Sequence, residues 1–131
     1  MFGHGAAFKT VKWPNFWYSV LTVLDVVSRL PELWSEDGRT AERRALAELA
    51  ACLIAYNLDE EGRVVPKSCY RGFENHSFGQ KKRPSAFATA MVYATLRPLD
   101  DLRFDIDSID VLSLGSSKGG NGRVRPPKTA R

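Results

Sequence analysis

Cysteine is scarce in this sequence. Only Cys52 and Cys69 occur among its 131 residues, too few for the dense disulfide framework of small secreted domains. Their settings also differ, because Cys52 falls on an apolar helical face and Cys69 falls in a long polar segment. The cysteine content therefore predicts a reduced, cytoplasmic chain.

Long hydrophobic runs are also missing. The longest apolar pattern, residues 16–27, is interrupted by Ser19, Thr22 and Asp25. A membrane-spanning helix needs about 18 or more consecutive apolar residues, and the N-terminal residues lack the basic region and apolar core of a signal peptide. We therefore expect neither a membrane span nor a signal peptide.

Acidic residues are absent from the last part of the sequence. Residues 115–131 contain five basic residues and no acidic one, in a Gly-, Ser- and Pro-rich composition that favours disorder. Residues 1–114 hold 14 basic and 15 acidic residues, so the net charge of +4 arises in the last segment. We predict a helical domain over residues 1–114 and a flexible basic tail over residues 115–131. The nearly neutral domain argues against nucleic-acid binding.

Three helices are indicated by apolar residues that recur at spacings of three and four. The first is predicted over residues 14–30, with Pro31 ending it. The second is predicted over residues 40–56 with Thr40 as its N-cap. The third is predicted over residues 84–97, with Ser85 as its N-cap or Pro84 as its first position, and with Pro98 ending it. Residues 99–114 fit either a short strand or a helix from about Ser108. The predicted fold class is all-α.

Two short motifs resemble those of a known architecture. Asp59-Glu60-Glu61-Gly62 follows the second predicted helix, and Pro84-Ser85-Ala86-Phe87 begins the third. Together with the surrounding helices, over about residues 8–100, they resemble the C-terminal part of bacterial proteins with prenyltransferase- and squalene-cyclase-type repeats. Those proteins are α-α toroids, in which paired helices form a ring. The resemblance implies helical hairpins of the toroid type in a partial ring, because the chain has too few helices to close one.

The resemblance implies a fold and no activity. The Asp-x-Asp-Asp motif of the cyclases is absent, because Ser108 follows the two acids Asp105 and Asp107. The Asp, Cys and His zinc ligands of protein prenyltransferases cannot be assembled from this sequence either. We predict no metal and no cofactor, and we leave open whether the protein is an enzyme.

Two further groupings could carry chemistry, although structural roles are favoured for both. Cys69 and His76 could act as a nucleophile and base, or bind zinc together with Cys52, but they lack the paired spacing of dedicated zinc sites. A cluster of carboxylates could bind a divalent cation, but its spacing matches no calcium loop and fits helix capping and a solvated face. These carboxylates are Asp100, Asp101, Asp105, Asp107 and Asp110.

The segment between the second and third predicted helices, residues 57–84, is the strongest candidate for a binding site. A connection of this length in a small domain is usually functional unless it is disordered, and its aromatic residues argue against disorder. Basic side chains bind phosphate or carboxylate groups, aromatic rings cover apolar parts of the same ligand, and a helix N-terminus follows. The predicted ligand-binding residues are Tyr70, Arg71, Phe73, His76, Lys81, Lys82 and Arg83.

Four aromatic residues lie within or next to the first predicted helix, and they belong either to the core or to a surface that faces a partner. Because the chain also has too few helices for a ring, we predict a homo-oligomer, with a symmetric dimer as the default. These residues are Trp13, Trp17, Tyr18 and Trp34.

Two functions are compatible with these observations. The leading one is a non-catalytic helical binding or interaction module related to toroid repeats. The alternative is an enzyme or binder of an isoprenoid or another amphipathic anionic ligand. An enclosed cavity with convergent polar groups would favour the alternative, whereas a solid core with exposed aromatic residues would favour the module.

Overall fold

The structure is a computed structural model that describes residues 6–16, 18–80 and 82–114. The predicted tail, residues 115–131, lies outside the described residues, so both the tail and the domain boundary stay predictions. The described elements are the helices α1 (Ala6–Lys9), α2 (Val20–Val27), α3 (Thr40–Asn57), α4 (Ala86–Leu96) and α5 (Arg103–Asp107), the strands β1 (Lys12–Trp13) and β2 (Ser68–Cys69), and 3-10 helices over Pro31–Leu33, Ser77–Gly79 and Arg97–Leu102.

The described part of the chain is mostly helical, as predicted, and it also contains a short strand pair that was not predicted. Helix α3 lies at the centre, where it contacts α1, α2 and α5, and α2 also contacts α4. Leu53 of α3, Leu24 of α2 and Val92 of α4 are fully buried in one core. Strands β1 and β2 pair in parallel, with Lys12 opposite Ser68 and Trp13 opposite Cys69.

The prediction that the first long helix begins at Pro14 is wrong. Helix α2 begins at Val20, directly after Ser19 in an extended conformation, and the peptide bond between Trp13 and Pro14 is cis. The reason is local capping: the Ser19 hydroxyl accepts from the Thr22 N–H at 3.3 Å and donates to the Asn15 side chain at 2.9 Å. A side chain that satisfies an early helical N–H fixes the start of a helix.

Other predicted boundaries are displaced by smaller amounts. Helix α2 ends at Val27, and Pro31 begins a 3-10 helix instead of ending the α-helix. Thr40 is the first residue of α3 and not its N-cap. Pro98 does not end the helical structure, because the chain continues after Leu96 as a 3-10 helix whose first turn accepts a proline.

Residues 99–114 contain no strand, and their helical structure begins well before Ser108, with a further helical stretch over residues 111–114. The 3-10 helix to Leu102 is followed directly by α5, which ends at Asp107. Leu99 and Leu102 are buried, and Ile106 packs against the core. Their spacings of three and four residues are those of a helical face.

The aromatic residues around α2 divide between core and surface. Trp13 and Trp34 are only 1% and 3% exposed, whereas Tyr18 is 57% exposed. Trp17 lies outside the described residues. The homo-oligomer stays a prediction, and the two buried tryptophans do not contribute an exposed surface to it.

Membrane insertion was not expected from the sequence. Within the described residues, no helix combines the length and the apolar content that crossing a bilayer requires.

Candidate functional site

Hydrogen bonds hold the ends of the long connection between α3 and α4 close together. Leu58 and Val64 form an antiparallel bridge just after α3. The Val64 carbonyl accepts from the Ser85 N–H at 2.9 Å, and the Val64 N–H donates to the Thr89 hydroxyl at 2.8 Å. The intervening residues therefore project from a fixed base on α4.

The Asp-x-x-Gly motif forms a tight turn at this base. One carboxylate oxygen of Asp59 accepts from the N–H groups of Glu61 and Arg63, both at 2.9 Å. The hydrogen bond from the Arg63 backbone N–H is the main cause that lowers the pKa of Asp59. Gly62 adopts a φ of +78°, and its carbonyl accepts from the Tyr93 hydroxyl at 2.6 Å. A Cβ atom at Gly62 would lie 2.6 Å from the same hydroxyl, so this motif is a structural turn.

The N-terminal segment is fixed beside the long connection by Asn57, the last residue of α3. The Asn57 side chain accepts from the Val11 N–H and donates to the carbonyls of Lys9 and Leu53, each at 2.9 Å. Next along the chain, β1 pairs with β2, and the Trp13 carbonyl accepts from the Tyr70 N–H at 2.7 Å. Residues 11–16 therefore lie against residues 68–73.

This arrangement brings aromatic rings from three parts of the sequence into contact. The Phe16 ring lies 5.5 Å, centre to centre, from the rings of both Tyr70 and Phe73. The Phe73 ring lies 5.6 Å from that of His76. We call Phe16, Tyr70, Phe73, His76 and Phe87 the ring surface. Each of these side chains is exposed or half-buried.

Phe78 forms the floor of the ring surface. It is only 8% exposed, and its ring stacks on His76 at 5.3 Å with an interplanar angle of 12°. The Phe87 ring, on the first turn of α4, lies 5.4 Å from Phe78. Phe16 and Phe87 are 60% and 49% exposed, so about half of each ring faces solvent.

One basic side chain contacts these rings, and three others lie near them in the sequence. The Lys12 ammonium lies 4.4 Å from the centre of the Tyr70 ring, a cation-π contact. Arg71 follows Tyr70 directly, while Lys82 and Arg83 lie in the chain between Phe78 and Phe87. In the part of the chain that the structure describes, Arg71, Lys82 and Arg83 are exposed and take part in no ion pair.

The structure thus brings together Tyr70, Phe73 and His76 of the predicted site. Lys81 lies outside the described residues. The prediction missed Lys12, Phe16 and Phe87, which come from outside residues 57–84. Phe16 gave no separate signal, because it was read as part of the apolar face of a helix. The exposure of Phe87 follows from α4 burying Ala88, Val92 and Thr95 on its other face.

The turn that carries His76 and Phe78 requires a glycine at position 79. A Cβ atom there would lie 2.4 Å from the Phe73 carbonyl oxygen and 2.6 Å from Glu74 Cα. The Gln80 side chain also donates to the Glu74 carbonyl at 2.9 Å. The turn closes tightly on itself, which fixes the positions of the rings.

At the N-terminus of α4, the hydrogen-bonding capacity of the backbone N–H groups is already partly used. The Ser85 hydroxyl accepts from the Ala88 N–H at 3.1 Å and lies 2.9 Å from the Ser77 hydroxyl. This confirms Ser85 as the N-cap. Its hydroxyl already binds one of the helix N–H groups that were predicted to be available to an anionic ligand.

Cys52, Cys69 and His76 each make contacts typical of a structural role. Burial raises the pKa of the Cys52 thiol to about 11, an effect that the charge of Lys9 partly offsets. The Cys69 sulfur donates to the Tyr70 carbonyl at 3.4 Å, and His76 stacks on Phe78. Among the described residues, no three of His, Cys, Asp and Glu come together in a way that could hold a metal ion.

A groove of about 700 Å³ lies on another part of the molecule and shares no residue with the ring surface. Its lining comes from α3, α4, the 3-10 helix Arg97–Leu102 and α5, and it is open to solvent. Arg103 at its edge pairs with Asp100 at 2.6 Å. The lining residues are Ile54, Tyr93, Leu96, Arg97, Leu99, Asp100, Arg103, Ile106 and Asp107.

In comparisons with known proteins, no family model matches the sequence, and no curated protein and no solved structure shows significant similarity to it. The resemblance to toroid repeats, and with it the partial ring, therefore stays a prediction.

Proposed function

We propose that this protein is a non-catalytic binding module whose ligand-binding face is the ring surface together with Lys12, Arg71, Lys82 and Arg83. The observation that carries the proposal is the half-exposed rings of Phe16 and Phe87 together with the Lys12 ammonium over the Tyr70 ring, which contacts Phe16. Rings that stay exposed in a folded domain offer apolar contact to a partner. Arg and Lys side chains without acidic partners can bind an anionic group.

The ligand that fits these rings and basic side chains is one that joins a flat apolar group to an anion.

A titration with small probes tests this proposal. We would add phenyl phosphate, inorganic phosphate or phenol to the ¹⁵N-labelled protein and follow the backbone amide signals. Phenyl phosphate should shift the signals of residues 70–76 at lower concentration than either fragment does. Shifts confined to the groove, or none with any probe, would contradict the proposal.

A double variant, Lys82→Gly with Arg83→Ala, tests the charges without disturbing the fold. Lys82 has a φ of +69°, a conformation that costs a non-glycine residue about 1 kcal/mol and that glycine adopts freely. The variant should therefore keep its helix content and stability while it binds phenyl phosphate more weakly. Unchanged affinity would show that these side chains are only solvated charges.

The groove favours a second candidate function, which is the binding of an amphipathic anionic ligand. Its volume lies in the range of small-molecule sites, and Arg97 at its edge has no described ion pair. A medium-chain fatty acid would then bind to the wild type and more weakly to Arg97→Ala. Equal binding to both proteins would remove this candidate.

A further inference from the structure

The nearly neutral charge of residues 1–114 conceals a strong separation of charge along the chain. Residues 1–24 hold two basic residues and no acidic one, and residues 62–99 hold seven basic residues and one acidic one. Residues 25–61 hold four basic and nine acidic residues, and residues 100–114 hold one basic and five acidic residues. The net charge therefore says little about the local charge at the ring surface.

The fold joins segments of like charge. The parallel pairing of β1 with β2 places the first basic segment beside the second, and the Lys12 ammonium lies over the Tyr70 ring. The two acidic segments meet where Arg43 of α3 pairs with Asp105 of α5 at 3.7 Å. Glu74, the one acid in residues 62–99, accepts from the Gly72 N–H at 3.0 Å. The ring surface therefore lies within the basic part of the molecule.

The ring surface is also larger than one aromatic group of a ligand. From Phe16 through Phe73, His76 and Phe78 to Phe87, each ring contacts the next at 5.3 to 5.6 Å. Exposed rings beside cations are the features with which proteins bind single-stranded nucleic acids, because bases stack on the rings while the cations track the phosphates. A duplex suits this surface less well, since its bases are already stacked and paired.

We propose that the ring surface binds single-stranded nucleic acid, with bases stacked on Phe16 and Phe87 and phosphates bound by Lys12, Arg71, Lys82 and Arg83. This inference rests on the proposed function, because it names the ligand class of the same surface. The nearly neutral net charge of residues 1–114 argued against nucleic-acid binding. The inference differs because the basic residues are grouped on one part of the fold rather than dispersed.

The experiment measures fluorescence anisotropy of a labelled 12-nucleotide single strand with the full chain. The comparison ligands are the same strand without bases, the corresponding duplex, and an acidic peptide as competitor. The intact single strand should bind at least about tenfold more tightly than the abasic strand, the contribution expected of one or two stacked bases. Equal binding of the abasic strand, tighter binding of the duplex, or displacement by the peptide at equal concentration would overturn the inference.

Matched variants locate the binding. Phe16→Ala should weaken binding about tenfold, whereas Phe104→Ala, which removes a ring that is 90% exposed next to the acidic residues, should leave it unchanged. The variant Lys82→Gly/Arg83→Ala should reduce the slope of log affinity against log salt by about 1, while Arg44→Ala should not. All four proteins retain residues 115–131, so these differences cannot come from the tail.

The outcomes separate this inference from the proposed function. If phenyl phosphate shifts the signals of residues 70–76 but the single strand binds no better than its abasic form, the ring surface binds another aromatic anion and only this inference fails. If neither probe acts on the ring surface, both fail.

Discussion

Asn57 is the residue whose removal should most clearly separate the N-terminal segment from the rest of the fold. It is 5% exposed, and its side chain makes three hydrogen bonds of 2.9 Å, to Val11, Lys9 and Leu53. Each such bond contributes about 1 kcal/mol net, and a buried group left unpaired costs more. We therefore expect Asn57→Ala to lower the free energy of unfolding by about 2–4 kcal/mol.

The companion variant Asn57→Asp tests hydrogen bonding apart from packing. An aspartate keeps the size of the side chain and can still accept from the Val11 N–H. Its second oxygen would face the carbonyls of Lys9 and Leu53, to which the amide nitrogen now donates. At neutral pH this variant should therefore be destabilised about as strongly as Asn57→Ala, although it leaves no cavity.

Urea unfolding followed by circular dichroism measures both effects, with Asn75→Ala as the control. Asn75 is an exposed asparagine in the long connection, and surface substitutions of this kind usually change stability by less than about 0.5 kcal/mol. If Asn57→Ala resembled Asn75→Ala, Asn57 would not be what fixes the N-terminal segment.

Three further outcomes are expected. Ser85→Ala should lower stability by about 1 kcal/mol through loss of the α4 cap, whereas Ser113→Ala should not, as urea unfolding would show. Cys69 should react with a thiol reagent at pH 8 much faster than Cys52, because burial raises the pKa of the Cys52 thiol. Single Cys→Ser variants identify the rate of each thiol, and equal rates would contradict this expectation. Because the Arg63 N–H lowers the pKa of Asp59, this carboxylate stabilises the fold above the ordinary pKa of about 3.9 and loses that effect as the pH falls through its folded value. Asp59→Asn should therefore lose less stability on acidification than the wild type. An identical loss would show that the Asp59 carboxylate does not stabilise the turn.

The features that could be predicted from the sequence are those that local signals determine. The apolar periodicity of α3 and the cap of α4 at Ser85 predicted those helices to within one or two residues. The aromatic residues of the long connection also indicated an ordered segment, and Tyr70, Phe73 and His76 do come together.

What could not be predicted depends on contacts between distant residues. Phe16 joins the ring surface because Asn57 and the β1–β2 pair hold residues 11–16 against residues 68–73. Apolar spacing instead placed Phe16 in a helix, since nothing in the local pattern shows that Ser19 caps α2 at Val20. The separation of charge was readable in the sequence, but its meaning depended on which segments the fold brings together.

Both proposals require the ring surface to be the binding face, and one comparison tests this most directly. Phe16→Ala and Phe104→Ala each remove one exposed ring, the first inside the ring surface and the second on α5. In parallel titrations with phenyl phosphate, we predict that Phe16→Ala weakens binding and that Phe104→Ala binds as the wild type does. Wild-type affinity in Phe16→Ala, with or without a loss in Phe104→Ala, would contradict the account.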